Sequence, residues 1–454
     1  MSERCAVLFP GQGAYAPGIL SSIAETEPLV EELLGDIDRS AARLGRSAVS
    51  RLLLDQEAPT LDDLVERSPE DLHLAIFALE TVFFRLLTER FALRPDVLLG
   101  HSFGELVALT AAGVYDLDQG LALVAARDDA FAACPPPAGG MVAIGMSATR
   151  TARLLGALAE WEVAVAADNS PRQCVVSGPA LPLLRVRKAA EAIGVSATEL
   201  RVPYPFHSRG LAAVSVDFAE RASALAVRPA RRPVHSAILG RVLDSTDDVA
   251  DLVAAHLVRP TRFADAVRAL HADGVDVFVE CGARGVLTDL VSATVPGVTA
   301  IAPLRRRAGA DSIARALRGP RTDGPDAAVA RPRPPVPAEA PVREAAAPRP
   351  GRSDNVRSDA PLAREGVIAT LRQLYADALG YPADVLTADA DLEADLGVDS
   401  IKQTELFARA VSHYGRRLPD EGSRLTRYTT LDALAELLST LPLADSASSA
   451  GAVR

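Results

Sequence analysis

Two hydrophobic patterns alternate along the larger, N-terminal part of the chain. Short apolar runs at residues 5–9, 97–99 and 277–280 are typical of buried strands, and the run at 277–280 is the last strand that the pattern predicts. Residues 66–91 and 117–131 instead carry apolar side chains near helical spacing, which predicts two long helices. Strands that alternate with helices predict an α/β fold for this part of the chain.

A compact unit of six elements interrupts this pattern. Strands are predicted at 141–146, 163–168, 173–177 and 198–202, and helices at 149–160 and 181–193. The order strand–helix–strand–strand–helix–strand is typical of a ferredoxin-like unit, which we place as an insert at about residues 139–203. The α/β pattern then resumes with a strand at 234–239 and a helix at 249–256.

The composition changes after the α/β part, which we assign to residues 1–318. Residues 319–360 are rich in Pro, Ala and Arg and lack hydrophobic periodicity, which predicts a linker. Residues 361–441 regain helical periodicity, with predicted helices at about 362–379, from Ile401 through Ala410, and at 431–438, and this predicts a small helical bundle. The Ser/Ala-rich residues 442–454 predict a disordered tail.

Composition narrows the class of protein. The chain has 454 residues and a formal net charge of -11, which argues against nucleic acid as a partner. No apolar run reaches membrane-spanning length and the N-terminus lacks a secretory signal, so we expect no membrane association. The four cysteines are scattered without metal-type pairs, which indicates reduced thiols in a cytoplasmic protein and predicts no metal site.

The motif Gly-His-Ser-Phe-Gly at residues 100–104 is the strongest chemical signal. It joins the predicted strand at 97–99 to a helical pattern that begins at Glu105. Strand, sharp turn and helix around Ser102 have the form of a nucleophile elbow, in which the serine hydroxyl projects from a tight turn. For the motif on its own, the alternative interpretation is a chance match or an inert turn.

Three further features have both a functional and a structural interpretation. The glycine-rich loop at 10–15 either offers a backbone N–H to an oxyanion or simply joins a strand to a helix, and it lacks the Lys-Ser/Thr of a phosphate loop. Arg127, among apolar neighbours on a predicted helix, either lies on a solvated face or binds a carboxylate or phosphate. His207 follows the insert as a candidate general base, whereas His73 is most simply a solvated or hydrogen-bonded histidine.

Together these motifs resemble the malonyl-type acyltransferases of polyketide and polyunsaturated fatty-acid synthases. The resemblance covers residues 5 to about 318 and includes Phe-Pro-Gly-Gln-Gly at 9–13, Tyr-Pro-Phe-His at 204–207 and Pro-Thr-Arg-Phe at 260–263. It implies an α/β-hydrolase-like core with the ferredoxin-like insert. Leu-Gly-Val-Asp-Ser at 396–400 resembles the attachment motif of an acyl carrier protein.

The family resemblance implies a role for each site residue. Ser102 attacks an acyl-CoA thioester, and His207 completes a serine–histidine dyad, steadied by a main-chain carbonyl near residues 260–262. The N–H groups of Gln12 and Phe103 form the oxyanion hole. The predicted substrate contacts come from four side chains, of which the first holds the malonyl carboxylate: Arg127, His73, Tyr204 and Phe206.

Two departures from the family pattern bear on the substrate. The family commonly has glutamine where His73 stands, so the detailed substrate contacts differ here. The four residues ending at the catalytic histidine often read His-Ala-Phe-His in malonyl enzymes and Tyr-Ala-Ser-His in methylmalonyl enzymes, and the segment ending at His207 is mixed. We favour malonyl, because the ring of Phe206 beside the base would crowd an α-substituent.

On the C-terminal unit, the resemblance implies that Ser400 carries a covalent 4′-phosphopantetheine group, added by a phosphopantetheinyl transferase. A serine at a helix N-terminus suits a phosphodiester, and the surrounding acidic residues predict basic partners. No ketosynthase nucleophile or dinucleotide fingerprint is present, so we expect a ketosynthase and other synthase proteins as partners.

Three functions remain open from the sequence. The first is transfer of a malonyl-type group to a carrier thiol, including that of this chain. The second is an acyl hydrolase of the same fold, in which water replaces the thiol. The third is a carrier and docking scaffold with an inactive transferase domain.

Overall fold

The computed structural model describes residues 4–318, 364–379 and 430–442, together with residues 388, 392, 406–407, 409–411, 414 and 416. Contacts divide the chain into two units, Met1–Pro320 and Arg321–Arg454.

Strands in the first unit form two separate sheets. In chain order they are β1 (Arg4–Phe9), β2 (Val97–Gly100), β3 (Gly139–Ile144), β4 (Ala164–Ser170), β5 (Gln173–Pro179), β6 (Ala197–Glu199), β7 (Val234–Ser236), β8 (Arg241–Val242), β9 (Val275–Glu280) and β10 (Thr299–Ile301). The larger sheet has the order β10-β9-β1-β2-β7-β8 and is parallel except for the pairing of β8 with β7. The smaller, antiparallel sheet has the order β4-β5-β3-β6.

In the first unit, helices cover the sheets and connect their strands. They are α1 (Ser21–Ala24), α2 (Leu29–Arg43), α3 (Ser50–Leu54), α4 (Leu61–Arg67), α5 (Pro69–Glu89), α6 (Gly104–Ala111), α7 (Leu117–Ala133), α8 (Ala148–Leu158), α9 (Ala180–Ala192), α10 (Ala212–Ser223), α11 (Val249–Ala255), α12 (Phe263–Ala272), α13 (Val286–Thr294) and α14 (Ala310–Arg318). The second unit contains α15 (Arg364–Leu379) and α16 (Leu431–Thr440). Short 3-10 helices lie at Gln12–Ala14 and Arg209–Leu211. In the part of the chain that the structure describes, no helix is long and apolar enough to cross a bilayer.

The central strand β1 explains why its sequence is apolar without alternation. Val7 and Phe9 belong to the core that contains the α5 and α6 side chains, whereas Ala6 and Leu8 belong to the core beneath α12 and α13. Because helices bury both faces of the sheet, residues pointing either way must be apolar. The mixed α/β fold predicted for this part of the chain is therefore confirmed.

Three predicted elements of the first unit need correction. The helix predicted at 66–91 is two helices, α4 and α5, because Ser68 precedes Pro69 and leaves the helical region (φ -152°, ψ 64°). The strand predicted at 234–239 ends at Ser236, whose hydroxyl accepts the N–H groups of Ile238 and Leu239 and turns the chain. The predicted last strand at 277–280 is followed by another, β10, which pairs with β9 in parallel.

The unit between α7 and α10 follows the order β3-α8-β4-β5-α9-β6. Its sheet and two helices have their own apolar core, which includes Val142, Leu155 and Val186. Strand β4 also bonds to the segment between α11 and α12. The N–H of Asp168 donates to the carbonyl of Thr261, and the N–H of Thr261 donates to the carbonyl of Ala166. These bonds bring the smaller sheet against the segment that follows α11.

In the second unit, the described parts of α15 and α16 share one apolar core. Its buried side chains include Val367, Leu371, Tyr375, Leu406, Phe407, Leu434 and Leu438. The structure describes residues 406–407 and 409–411 as helical, and all of these except Val411 lie within the second predicted helix.

Candidate active site

Ser102 lies in a sharp turn between β2 and α6, with a backbone φ of +54°. The turn is possible only because its two glycines lack side chains. A Cβ on Gly100 would lie 2.3 Å from Cα of Glu105, and one on Gly104 would lie 2.0 Å from the carbonyl oxygen of Phe9. The close approach of α6 to the ends of β1 and β2 thus places the Ser102 hydroxyl above the carboxyl edge of the sheet.

His207 meets this hydroxyl from a distant part of the sequence. Its Nε2 lies 2.7 Å from Oγ of Ser102, and its Nδ1 lies 2.8 Å from the carbonyl oxygen of Arg259. The carbonyl can only accept a hydrogen bond, so Nδ1 carries the proton and Nε2 is free to accept the serine proton. The carbonyl partner is one residue before residues 260–262, near which the resemblance placed it, and lies in the segment between α11 and α12.

Burial also sets the protonation of His207, whose side chain is 3% exposed. Loss of solvent lowers the pKa of His207 to about 4; the Arg259 carbonyl acts in the opposite direction, and the nearby His101 and Arg127 add to the lowering. The imidazole is therefore neutral at physiological pH, the form that can accept a proton from a hydroxyl.

The glycine-rich loop after β1 lies against the serine turn. A Cβ on Gly11 would be 3.1 Å from the carbonyl oxygen of His101 and 3.6 Å from the backbone nitrogen of Phe103. The Gln12 side-chain amide lies 2.6 Å from Nε2 of His73. The two predicted oxyanion residues, Gln12 and Phe103, are thus on adjoining backbone segments beside Ser102.

Arg127 is buried on α7, with 1% of its surface exposed, so the interpretation as a solvated face is wrong. Its guanidinium carbon lies 5.0 to 5.5 Å from the ring centroids of Phe206, Phe131 and Phe103. Burial lowers the pKa of Arg127 to about 10, and Asp128 acts in the opposite direction. The guanidinium therefore keeps its charge at neutral pH.

The Arg127 guanidinium is incompletely bonded. Its Nε donates to Nε2 of His256 over 3.3 Å, and its Nη1 lies 3.5 Å from Oδ1 of Asp128 but has no hydrogen-bond partner. A buried cationic donor without a partner is suited to receive an anion.

Tyr204 and Phe206, from the segment that ends at His207, pack with Phe131 beside the same guanidinium. Tyr204 stacks on Phe131 with ring centroids 4.2 Å apart, and Phe206 meets both rings edge-on. Phe206 is 4% exposed, and burial raises the pKa of Tyr204. These rings exclude water from the surroundings of Arg127.

The sequence suggested either a solvated or a hydrogen-bonded side chain for His73, and the structure shows a hydrogen-bonded one. It is buried on α5, with Nδ1 2.7 Å from Oδ1 of Asp128 and with its ring stacked on Phe103 at 5.7 Å. The structure thus brings the predicted site residues of the first unit together. Ser400, the predicted attachment residue, lies outside the described residues.

Several residues of the site carried no assigned role in the sequence. Asp128 and His256 flank Arg127, and Nε2 of His101 lies 2.8 Å from Oδ1 of Asn169. Asp128 and His101 are each next in sequence to a motif residue, which was a usable signal. His256 gave none, because only the tertiary packing of α11 brings it to α7.

Among the described residues, no group of three or more His, Cys, Asp or Glu side chains is arranged to hold a metal ion.

Two family models match the chain. The model described as acyl transferase domain matches residues 7–321, and the model described as phosphopantetheine attachment site matches residues 369–438.

Relatives include two bacterial synthases. Polyketide synthase GfsA of Streptomyces halstedii is 33% identical over 291 residues, which make up 63% of this chain and 4% of that protein. The spectinabilin polyketide synthase system protein NorB of Streptomyces orinoci is 36% identical over 290 residues, 62% of this chain and 13% of that protein. This chain thus spans a small part of the length of each.

Two solved structures have folds similar to that of this chain. The acyltransferase domain from the second module of the salinomycin polyketide synthase matches with a TM-score of 0.62 and 30% identity, over 70% of this chain and 73% of that one. A complex of a type II acyl carrier protein with its malonyl-transacylase, PlMCAT:AntF, matches with a TM-score of 0.62 and 26% identity, over 69% of this chain and 99% of that one.

Proposed function

This chain belongs to the acyl transferase domain family, and we propose that it transfers a malonyl-type acyl group from coenzyme A, through an ester on Ser102, to a carrier thiol. The observation that carries the proposal is the 2.7 Å contact between the Ser102 hydroxyl and Nε2 of His207, in a site that also holds the partly unbonded Arg127. The malonyl-transacylase likeness supports the choice of acyl group.

In the first half-reaction, Nε2 of His207 takes the proton of Ser102 as Oγ attacks the thioester carbonyl. The N–H groups of Gln12 and Phe103 stabilise the negative oxygen of the tetrahedral intermediate. The C–S bond then breaks, and His207 returns its proton to the departing thiolate. An acyl ester on Ser102 and free coenzyme A thiol result, with His207 neutral again.

The second half-reaction reverses these roles. The match to the phosphopantetheine attachment model covers the position of Ser400, and such a group supplies a thiol when bound. His207 takes the proton of the attacking thiol and gives it to Oγ of Ser102 as the ester breaks. The same two N–H groups hold the oxyanion.

Selectivity rests on Arg127. The planar guanidinium can bond a free carboxylate with two parallel N–H donors, and an acyl group without a carboxylate leaves a buried donor unbonded. Phe206, against the same guanidinium, is placed to disfavour an α-substituent, which supports malonyl over methylmalonyl. His73 and Tyr204 complete the proposed acyl pocket.

The finer architecture belongs to the same proposal. The order of the smaller sheet supports a ferredoxin-like insert at about 139–203 in an α/β-hydrolase-like core. We assign residues 1–318 to the transferase, 319–360 to a linker, 361–441 to the carrier domain and 442–454 to a tail. The proposal also includes a cytoplasmic location and two partners, a phosphopantetheinyl transferase and a ketosynthase.

Mass spectrometry of the full-length holo-protein mixed with malonyl-CoA tests the proposal. We expect a malonyl ester on Ser102 and a malonyl thioester on the group carried by Ser400. S102A should lose both adducts, and S400A should keep only the ester. Free malonate without acyl on Ser400 would indicate a hydrolase, and a protein with neither adduct would indicate an inactive transferase domain.

A further inference from the structure

Three side chains from three different segments form a continuous hydrogen-bonded chain beside the nucleophile. Oδ1 of Asp128, on α7, lies 2.7 Å from Nδ1 of His73, on α5. Nε2 of the same ring lies 2.6 Å from the amide nitrogen of Gln12, in the loop after β1. The His73 side chain is 1% exposed and that of Asp128 is 10% exposed, so water competes little for these bonds.

The chemistry of the two ends determines the direction of the chain. The Gln12 amide nitrogen can only donate, so Nε2 of His73 must accept and the ring proton must be on Nδ1. The Asp128 carboxylate accepts that proton's hydrogen bond and thereby selects this tautomer. Without the carboxylate, the ring proton of His73 could equally be on Nε2. Two donors would then face each other, and the hydrogen bond to the Gln12 amide would be lost.

His73 contacts both halves of the proposed oxyanion hole. It bonds the side chain of Gln12, and its ring stacks on Phe103 with centroids 5.7 Å apart and planes 24° apart. Gly11, the residue before Gln12, has no side chain with which to anchor the loop. The Gln12 side chain is therefore a direct tie between the loop and the helical layer.

We propose that Asp128 and His73 act as a pair of positioning residues that hold the Gln12 and Phe103 N–H groups toward the oxyanion. This inference rests on the proposed function, because it concerns the same transition state. It also accounts for the departure from the family pattern at His73. A glutamine there needs no tautomer selection, whereas a histidine needs a carboxylate such as Asp128.

Asp128 has a second neighbour, since its Oδ1 is 3.5 Å from Nη1 of Arg127. Asp128 can therefore act on the oxyanion hole through His73 or on the carboxylate-binding group through Arg127. These two effects differ in how they depend on the acyl group. Loss of oxyanion positioning slows acylation by malonyl-CoA and acetyl-CoA alike, because both form the same tetrahedral oxygen. Loss of an effect on Arg127 changes only the reaction of the group that carries a carboxylate.

Rapid-mixing measurements of Ser102 acylation in the full chain with S400A separate these effects. We expect D128A to lower the maximal acylation rate about 10- to 100-fold for both thioesters, the range known for residues that orient a catalytic group, with little change in the half-saturating concentration. D128N, which keeps an acceptor of the same shape, should retain more activity. Thermal unfolding of each variant checks that it is folded.

The decisive comparison is made in the H73Q background. The rate of H73Q alone is the reference in this comparison, and adding D128A to H73Q should cost less than about twofold, since the glutamine amide needs no partner to fix its state. The inference is overturned if D128A costs as much in H73Q as alone, if it affects malonyl only, or if folded D128A acylates at the unsubstituted rate. Failure of the proposed function is a different result, in which Ser102 of the S400A chain is not acylated at all.

Discussion

Ser102 and His207 lie 2.7 Å apart through Oγ and Nε2, and both have a left-handed backbone, with φ of +54° and +58°. Such a conformation costs a residue other than glycine about 1–3 kcal/mol, so it persists only where the surrounding structure enforces it. Here the packing of α6 on β1 enforces the first, and the bond from His207 to the Arg259 carbonyl supports the second. Both reacting side chains are thus held in place by backbone geometry.

His207→Ala should lower the rate of Ser102 acylation about 10²- to 10⁴-fold, because the hydroxyl loses its proton acceptor. The rate is measured as release of coenzyme A thiol from malonyl-CoA. His271→Ala is the matched control, since His271 lies on α12 with its side chain 42% exposed. Near-normal acylation by His207→Ala would exclude this residue as the base.

The pH dependence of acylation should reflect the buried state of His207. Burial lowers the pKa of His207 to about 4, and the neutral form, which accepts the serine proton, predominates above that pH. The rate should therefore be nearly flat from about pH 5.5 to 8 and fall only as the pH approaches 4, whereas an ordinary histidine would halve it near pH 6.5. Stopped-flow acylation across this range checks the expectation, and an inflection between pH 6 and 7 would contradict it.

Arg127→Ala should lower kcat/KM for malonyl-CoA about 10- to 100-fold and leave acetyl-CoA nearly unaffected, because only malonyl loses a charge-assisted bond of about 1.5–3 kcal/mol. Arg127→Lys keeps the charge but not the planar fork and should recover part of the loss. Competition between the two thioesters for Ser102 measures the preference. If the preference is the same in both variants as in the unsubstituted chain, Arg127 has no part in substrate choice.

The bond between Arg127 and His256 offers a milder test of the same pocket. His256 accepts from Nε of Arg127 over 3.3 Å, while its Nδ1 is bonded to the carbonyl of Val253. His256→Leu removes the acceptor, and we expect the KM for malonyl-CoA to rise about 3- to 10-fold, by the loss of a hydrogen bond of about 1 kcal/mol. Steady-state kinetics with acetyl-CoA serve as the control, and an equal rise there would show a general defect.

Gly104→Ala should destabilise the first unit by about 1–3 kcal/mol or more, because the new methyl group overlaps the carbonyl of Phe9. Gly156→Ala is the matched control. Gly156 lies inside α8, a methyl group there would meet nothing within 4 Å beyond the backbone of its own helix, and the change should stabilise the helix by about 0.5–1 kcal/mol. Chemical denaturation compares the two, and equal midpoints would refute the steric role of Gly104.

The sequence determined the larger features of the chain because they depend on local pattern. Apolar runs and helical spacing located most strands and helices, and the glycines around Ser102 indicated the sharp turn. Errors occurred where one side chain redirected the backbone, as at Pro69 and Ser236, or where a strand is as short as Thr299–Ile301 and has little periodicity of its own.

For the site, the sequence supplied the residues and the tertiary structure supplied their partners. Ser102, His207 and Arg127 were recognisable from their motifs, and the resemblance placed a carbonyl for His207 near residues 260–262. Only the tertiary structure identified that carbonyl as the one of Arg259, and nothing in the chain order showed that His256 would face Arg127. Whether Arg127 was solvated or buried was likewise decided only by the three rings packed around it. Local patterns specify elements, whereas a hydrogen bond such as that between Arg127 and His256, 129 positions apart in the sequence, arises only when those elements pack.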